Sequence, residues 1–188
     1  MRWPFCRTMK VPKAEIKRRT ESIWVGAAIH PGITGFQIQP GTRWNPGLTG
    51  DEIDAYERAL GVRFPASFRC MLSVMNGTDP PTINLYGSRG HPAREGVGVY
   101  AYPRDLALVR ERMAWVAEDR AGITEVLAEQ GFRLVADAAL VPVYAHRYLV
   151  CGADPLDGPV LSIMDTDAIV YGRTLVEYLH SEFFKQIR

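Results

Sequence analysis

The clearest structural signals in the chain lie in residues 47–77, whose sequence is GLTGDEIDAYERALGVRFPASFRCMLSVMNG. Thr49 can cap a helix while Glu52, three residues later, reaches back to the cap, which is the capping-box pattern. Apolar residues then recur at helical spacing, namely Ile53, Tyr56 and Leu60. Gly61 follows, a typical residue just past a helix end. These signals predict a short helix that begins after Thr49 and ends before Gly61.

A second helix is predicted directly after the first. Pro65 suits the opening of a helix, and the pair Asn76-Gly77 is a typical stop signal. Between them, apolar side chains share one face of the predicted helix, namely Phe68, Met71, Leu72 and Met75. Two short helices are therefore expected almost back to back.

The remainder of the chain alternates between groups of strands and groups of helices. Strand-like runs rich in branched and aromatic residues lie at 36–39, 83–86, 97–102, 140–150, 160–164 and 168–171. Helical spacing begins at Leu106 and again near 123–127, and Thr174 with Glu177 caps a last helix. The joins between strands are short and no strand leads through a glycine-rich turn into a helix. We therefore expect an α+β fold, with helices packed on a largely antiparallel sheet.

Composition and charge bound the class of protein. The chain has 188 residues, of which 47% are hydrophobic and 23% charged, as expected for one globular domain. It contains three cysteines, Cys6, Cys70 and Cys151, which are odd in number and widely spaced. This pattern favours neither a disulfide framework nor a cysteine zinc site, and it suits the reducing cytosol.

A basic head precedes a mildly acidic body. Residues 1–20 hold seven Lys or Arg side chains and one Glu, whereas the whole chain has a net charge of +1. Such a head can attract phosphates, but Pro4 and Pro12 interrupt any continuous helix, and a short charged terminus is more often solvated. We expect a basic extension and Gly/Pro-rich linker over 1–43 and a folded domain over 44–188, with no direct binding of nucleic acid.

The sequence also predicts a cytoplasmic protein. Its first residues lack the continuous apolar stretch of a secretory signal, and no later segment offers the roughly 18 apolar residues that a membrane span needs.

The two predicted helices carry a pattern that resembles the SUKH superfamily, which includes fungal cell-wall-assembly regulators of the Smi and Knr type and bacterial toxin-immunity proteins. The matching positions in the first half are Gly47, Leu48, Thr49, Ile53, Glu57, Leu60-Gly61, Phe64-Pro65, Phe68-Arg69, Leu72 and Asn76-Gly77. Those in the second half are Leu140 to Val143, Asp154, Gly158 to Val160, Asp165 and Leu175 to Leu179. The resemblance covers roughly residues 44–182, but the basic head and the helical stretch around 104–135 lie outside the pattern.

The resemblance implies a non-enzymatic α+β binding module without a cofactor. Bacterial members typically bind and neutralise a cognate toxin, often a nuclease, inside the producing cell. The alternative is a regulatory or scaffold protein of the Smi or Knr type. The shared positions are caps, turns and core residues, so the resemblance transfers no binding residues and predicts no oligomeric state.

Four acidic residues are the preferred candidates for a surface that meets a basic toxin, namely Asp154, Asp157, Asp165 and Asp167. Negative charge on an inhibitor accelerates its association with a positive cleft. Aspartate is also a standard turn residue beside proline and glycine. The sequence is compatible with both interpretations, a partner-binding surface and a set of turn residues.

A second candidate is the glycine-containing loop over residues 87–91. Its backbone amides, with Arg89 and Arg94, could hold an anion. The loop lacks the Walker lysine and opens no helix, so an exposed hairpin connection is the favoured interpretation.

A cysteine hydrolase is the third hypothesis, because His146, Cys151 and Asp154 lie close together in sequence. Residues five apart in a regular strand point to opposite faces, and buried cysteines are usually inert. The other histidines show no metal-binding spacing. We therefore expect neither a catalytic site nor a metal site.

Overall fold

The computed structural model describes residues 13–85, 94–95, 98–165 and 167–184. Within these residues the helices are α1 (Lys13–Trp24), α2 (Gly50–Leu60), α3 (Ala66–Leu72), α4 (Leu106–Glu118), α5 (Arg120–Glu129) and α6 (Leu175–Phe184). The strands are β1 (Gly35–Gln37), β2 (Arg43–Pro46), β3 (Met75–Asp79), β4 (Ile83–Leu85), β5 (Arg94–Glu95), β6 (Ala139–Tyr144), β7 (Arg147–Cys151), β8 (Val160–Met164) and β9 (Asp167–Gly172). The predicted α+β class is confirmed.

The main sheet has four antiparallel strands in the order β6-β7-β8-β9. Two smaller antiparallel sheets join β1 to β4 and β5, and β2 to β3. The prediction of a largely antiparallel sheet is therefore confirmed as well. A tight turn joins β6 to β7, and the loop over residues 152–159 joins β7 to β8, as antiparallel pairing permits.

Helices cover both faces of the main sheet. On one face, α4 and α5 bring Val116, Ile123 and Leu127 against sheet residues such as Tyr148 and Leu161. The opposite face belongs to a larger core, to which α1, α2, α3 and α6 contribute the buried residues Ile16, Ile53, Phe68 and Leu179. Each face of the sheet thus packs on its own hydrophobic cluster.

Helix α2 forms as its sequence predicts. Thr49 and Glu52 make a capping box, in which the Glu52 carboxylate accepts the Thr49 backbone N–H at 2.7 Å. Gly61 lies just past α2 with φ of 67°, in the left-handed region that favours glycine. The prediction for the second helix is wrong at its end, because α3 stops at Leu72 and β3 begins at Met75. Pairing of β3 with β2, where Trp44 faces Thr78, outweighs the local helical pattern.

Helix α1 is part of the core. Ile16 and Trp24 are 0% and 4% exposed. The Trp24 and Trp44 rings lie 5.3 Å apart, and Phe183 of α6 packs edge-on against both. The Trp44 indole N–H donates to Thr20 Oγ1 at 2.7 Å. A boundary drawn between residues 43 and 44 therefore cuts through one hydrophobic core.

Two predicted strands differ from the observed ones. The run 140–150 is two strands, β6 and β7, joined by a tight turn in which Ala145 has φ of 45°. In the run 97–102, the described residues form only an isolated bridge between Val99 and Tyr144. Tyr102 makes its backbone hydrogen bonds with the Asn76 side chain instead, at 2.6 and 2.9 Å.

Candidate partner-binding surfaces

The four acidic candidates do not form one surface. Asp154 and Asp157 lie in the loop between β7 and β8, whereas Asp165 and Asp167 lie at the turn between β8 and β9. These are opposite ends of β8, a strand of five residues that spans about 16 Å. The expectation of a single acidic surface is therefore wrong, and the two pairs must be judged separately.

Asp157 has an internal structural role. Its Oδ1 accepts hydrogen bonds from the Ser67 hydroxyl at 2.7 Å, from Gly158 N at 2.8 Å and from Leu175 N at 3.2 Å. One carboxylate thus fastens the start of α3, the loop before β8 and the start of α6. This supports the interpretation of Asp157 as a turn residue and leaves it poorly placed for a partner.

Asp154 is exposed in the same loop, where its Oδ1 accepts from Leu156 N at 2.7 Å. The carbonyls of Pro155 and Leu156 accept the Ala66 and Ser67 N–H groups at 2.9 Å, which caps the start of α3. The loop is therefore held in place, and its Leu156 side chain is 54% exposed.

The opposite end of β8 carries a more promising surface. Met164 and Ile169 are 60% and 40% exposed, although both lie in ordered strands of the main sheet. Met164 pairs with Asp167 across the strands and Ile169 pairs with Ser162, so these side chains share one face. Asp165, with φ of 51°, and Asp167 are both exposed. We call Met164, Asp165, Asp167 and Ile169 the hairpin surface.

Sequence reasoning missed Met164 and Ile169 because both occur in apolar runs that resemble core strands. Ser162 was the sequence signal that could have revealed these two exposed residues. It interrupts β8 and marks the face on which Met164 also lies, since alternate residues of a strand point the same way. That face is buried at Arg147, which contacts Glu182 of α6, and open at Met164 and Ile169.

A buried charged cluster lies where α6 crosses that face of the sheet. Arg147 donates to Glu182 at 3.4 Å and to the Ser162 hydroxyl at 2.6 Å, and its guanidinium lies 4.0 Å from the Tyr171 ring centre. The Arg147 and Glu182 side chains are 12% and 5% exposed. The cluster fastens α6 to the sheet, and we assign it a structural role.

A second charged cluster closes the α2–α3 pair. Glu57 is 3% exposed and binds Arg69 at 2.6 Å, Arg63 at 3.0 Å and the Phe64 backbone N–H at 2.7 Å. Arg69 also pairs with Asp54 at 2.6 Å. A shallow depression of about 330 Å³ lies over this cluster. Because its cations are already paired with carboxylates, it offers no anion-binding site.

The residues of the hydrolase hypothesis lie apart. His146 is in the turn before β7 and Cys151 is the last residue of β7, about 16 Å away along the strand. Burial raises the pKa of the Cys151 thiol to about 12. Burial and the neighbouring Arg147 lower the pKa of His146 to about 4. A cysteine nucleophile requires a thiolate with a base in contact, and this arrangement provides neither.

Cys70, the other cysteine in the described residues, differs from Cys151 in its bonding. Cys70 is disulfide-bonded, so the sequence argument against disulfides is wrong for this residue, and the cysteine pattern no longer supports a reducing compartment. Cys151 is a free, buried thiol.

The glycine-containing loop and its Arg89 lie outside the described residues. Of Arg94 only the backbone is described, and it pairs with Asn84 of β4. Within the described part of the chain, no three His, Cys, Asp or Glu side chains gather closely enough to hold a metal ion. None of the helices described is both long enough and apolar enough to cross a bilayer.

Comparison with known proteins gives no further information on these surfaces. No protein-family model matches the chain, and no curated protein or solved structure is significantly similar to it.

Proposed function

We propose that the chain is a non-enzymatic protein-binding module, an immunity protein that binds a cognate toxin in the cytoplasm and occludes its active site or substrate groove. The observation that carries the proposal is the hairpin surface, where exposed Met164 and Ile169 adjoin Asp165 and Asp167. Exposed apolar side chains at a contact surface lose water on binding. Acidic residues beside them steer a basic partner into place.

The residues that resemble the SUKH superfamily are consistent with this proposal. Thr49 caps α2, Gly61 ends it, and Glu57 closes the α2–α3 pair. These positions maintain the fold and leave the hairpin surface free to vary with the partner. Occlusion requires only a preformed surface, and both strands of the hairpin belong to the main sheet.

A regulatory or scaffold protein of the Smi or Knr type is the alternative, and a cysteine-dependent hydrolase is third. An immunity protein protects cells from one specific toxin. A scaffold binds a housekeeping partner. A hydrolase loses activity when Cys151 or His146 is replaced.

The test begins with affinity capture of the tagged protein from lysate of its own source, at low and moderate salt. A captured basic protein must be lethal when expressed alone and harmless beside this chain. If only housekeeping proteins survive moderate salt, the scaffold alternative replaces the proposal.

Two matched pairs of variants then test the surface. Met164→Arg at the hairpin surface should abolish protection and complex formation, because a charge would be buried in the contact. Leu156→Arg is the control, since Leu156 is 54% exposed at the opposite end of β8. Asp165→Asn should slow association and flatten its salt dependence, whereas Asp154→Asn should not. If Leu156→Arg alone abolishes protection, the toxin binds the loop between β7 and β8.

A further inference from the structure

The bonding of the cysteines identifies the partner of Cys70. Cys70 lies on α3, where it is disulfide-bonded and 8% exposed. Cys151, at the end of β7, is a free thiol and 1% exposed. The chain has one further cysteine, Cys6, which lies outside the described residues. A bond within the chain can therefore join Cys70 only to Cys6.

The packing of α1 brings the start of the described chain close to Cys70. Lys17 of α1 donates from Nζ to the Val74 carbonyl oxygen at 3.3 Å, and Val74 follows Cys70 by four residues. Helix α1 begins at Lys13, one turn or about 6 Å before Lys17. Cys6 precedes Lys13 by seven residues, and a segment of that length reaches about 24 Å when extended. The segment is thus long enough to bring the two cysteines together.

We propose that Cys6 and Cys70 form a disulfide that fastens the N-terminal segment to α3. The bond forms by thiol–disulfide exchange with a disulfide oxidant, such as oxidised glutathione. The thiolate of one cysteine displaces a thiol from the oxidant, and the thiolate of the other cysteine then displaces the second thiol. Two electrons and two protons pass from the cysteines to the oxidant, which becomes two thiols as the new S–S bond forms.

The bond closes a long loop over residues 6–70, which contains α1, β1, β2 and α2. A cross-link over such a loop restricts the unfolded chain and so stabilises the folded one. Helix α1 is already packed in the core through Ile16 and Trp24. The part of the basic head between Cys6 and α1 is thereby attached to the domain at both ends.

The disulfide goes beyond the proposed function and does not depend on it. Neither Cys6 nor Cys70 belongs to the hairpin surface. The reducing cytosol keeps such thiols open, so the bond closes where a disulfide oxidant is present. Cys6→Ser tests the disulfide and Met164→Arg tests toxin binding, so the two proposals can fail separately.

Peptide mapping of the full chain tests the pairing, after incubation with oxidised glutathione and blocking of the remaining thiols in denaturant. Trypsin should release residues 3–7 joined to residues 70–89, because an arginine precedes and ends each of these peptides. Cys151 should carry the blocking group. The intact monomer should be lighter than the reduced one by about 2 Da, the mass of the two hydrogens lost.

Cys6→Ser should remove the joined peptide and leave Cys70 open to the blocking reagent. It should also lower the Tm by roughly 10 °C. Reductant should lower the Tm of the unmodified sequence by the same amount and leave that of Cys6→Ser unchanged. Cys151→Ser is the matched control, because it removes the remaining cysteine and should keep both the joined peptide and the fall in Tm on reduction.

Three results would contradict this pairing. Cys70 joined to Cys151, or to a second copy of the chain in a covalent dimer, overturns the proposal. A Cys70 that stays a thiol after exposure to oxidised glutathione overturns it as well. An equal Tm for Cys6→Ser and the unmodified sequence overturns the claim that the bond fastens the segment to the domain.

Discussion

Replacement of Glu57 tests the central claim about the α2–α3 pair, that one buried carboxylate holds it closed. Glu57→Ala removes the acceptor of three groups at once, the Arg69 and Arg63 guanidinium groups and the Phe64 N–H. Arg69, whose side chain is 13% exposed, then loses a buried counter-ion. The variant should still fold, but with a clearly lower free energy of unfolding.

The magnitude follows from burial. Breaking a buried ion pair by removing one partner costs about 3 to 5 kcal/mol, so Glu57→Ala should lose about that amount. Glu57→Gln keeps an oxygen for the Phe64 N–H but gives up the charge-assisted bond to Arg69, at a cost of about 2 to 3 kcal/mol. Arg63 is 88% exposed, so Arg63→Ala should cost less than about 1 kcal/mol.

Urea unfolding followed by tryptophan fluorescence measures these differences directly. For a chain of this length, the loss in Glu57→Ala corresponds to a Tm lower by roughly 10 °C. The essential result is that the loss in free energy of unfolding is largest for Glu57→Ala, smaller for Glu57→Gln and smallest for Arg63→Ala. If Glu57→Ala costs no more than Arg63→Ala, the buried cluster does not hold the helix pair, and the argument is refuted.

Three further predictions follow from the described geometry. Gly47→Ala should cost at least about 2 kcal/mol in urea unfolding, because a Cβ at Gly47 would lie 2.2 Å from the Ser73 carbonyl; Gly50→Ala, with open space around it, should be neutral. Cys151 should react with a maleimide at pH 8 only as fast as the protein unfolds, since burial raises the pKa of its thiol to about 12; reaction at the rate of a free thiol, located by peptide mapping, would contradict its burial. His146 has a folded-state pKa of about 4, below its ordinary 6.5, so the unfolded chain takes up the proton first. Stability should therefore fall between about pH 6.5 and pH 4 and fall less in His146→Gln; equal losses would show that His146 is not the group responsible.

The sequence predicts well where local signals and long-range pairing agree. The α2 helix has a capping box, a helical stripe and a C-terminal glycine, and it forms between Thr49 and Gly61. The strand β3 was not predicted, because Met75 continues the apolar stripe of α3 and only β2, some 30 residues earlier, turns the segment into a strand. Pairing between distant segments leaves little trace in local spacing.

The candidate surfaces show the same limit. The four aspartates are close in sequence, but strand β8 places them at opposite ends of the sheet. The roles of Asp157 depend on Ser67 and Leu175, which no local pattern connects to it. Ser162 was the available sign that Met164 lies on a partly open face. The extent to which α6 covers that face follows from tertiary packing alone.

The contact of Trp24 and Trp44 with Phe183 has a consequence for synthesis on the ribosome. These rings come from α1, β2 and α6, so the earliest described helix finds its last aromatic neighbour, Phe183, only after α6 has been made. Until then, two indole rings that end up buried remain exposed to water. Domains closed by such distant contacts fold slowly, and the growing chain must stay soluble until α6 emerges. A ribosome stalled before residue 175 should therefore display a nascent chain that chaperones bind and proteases cut.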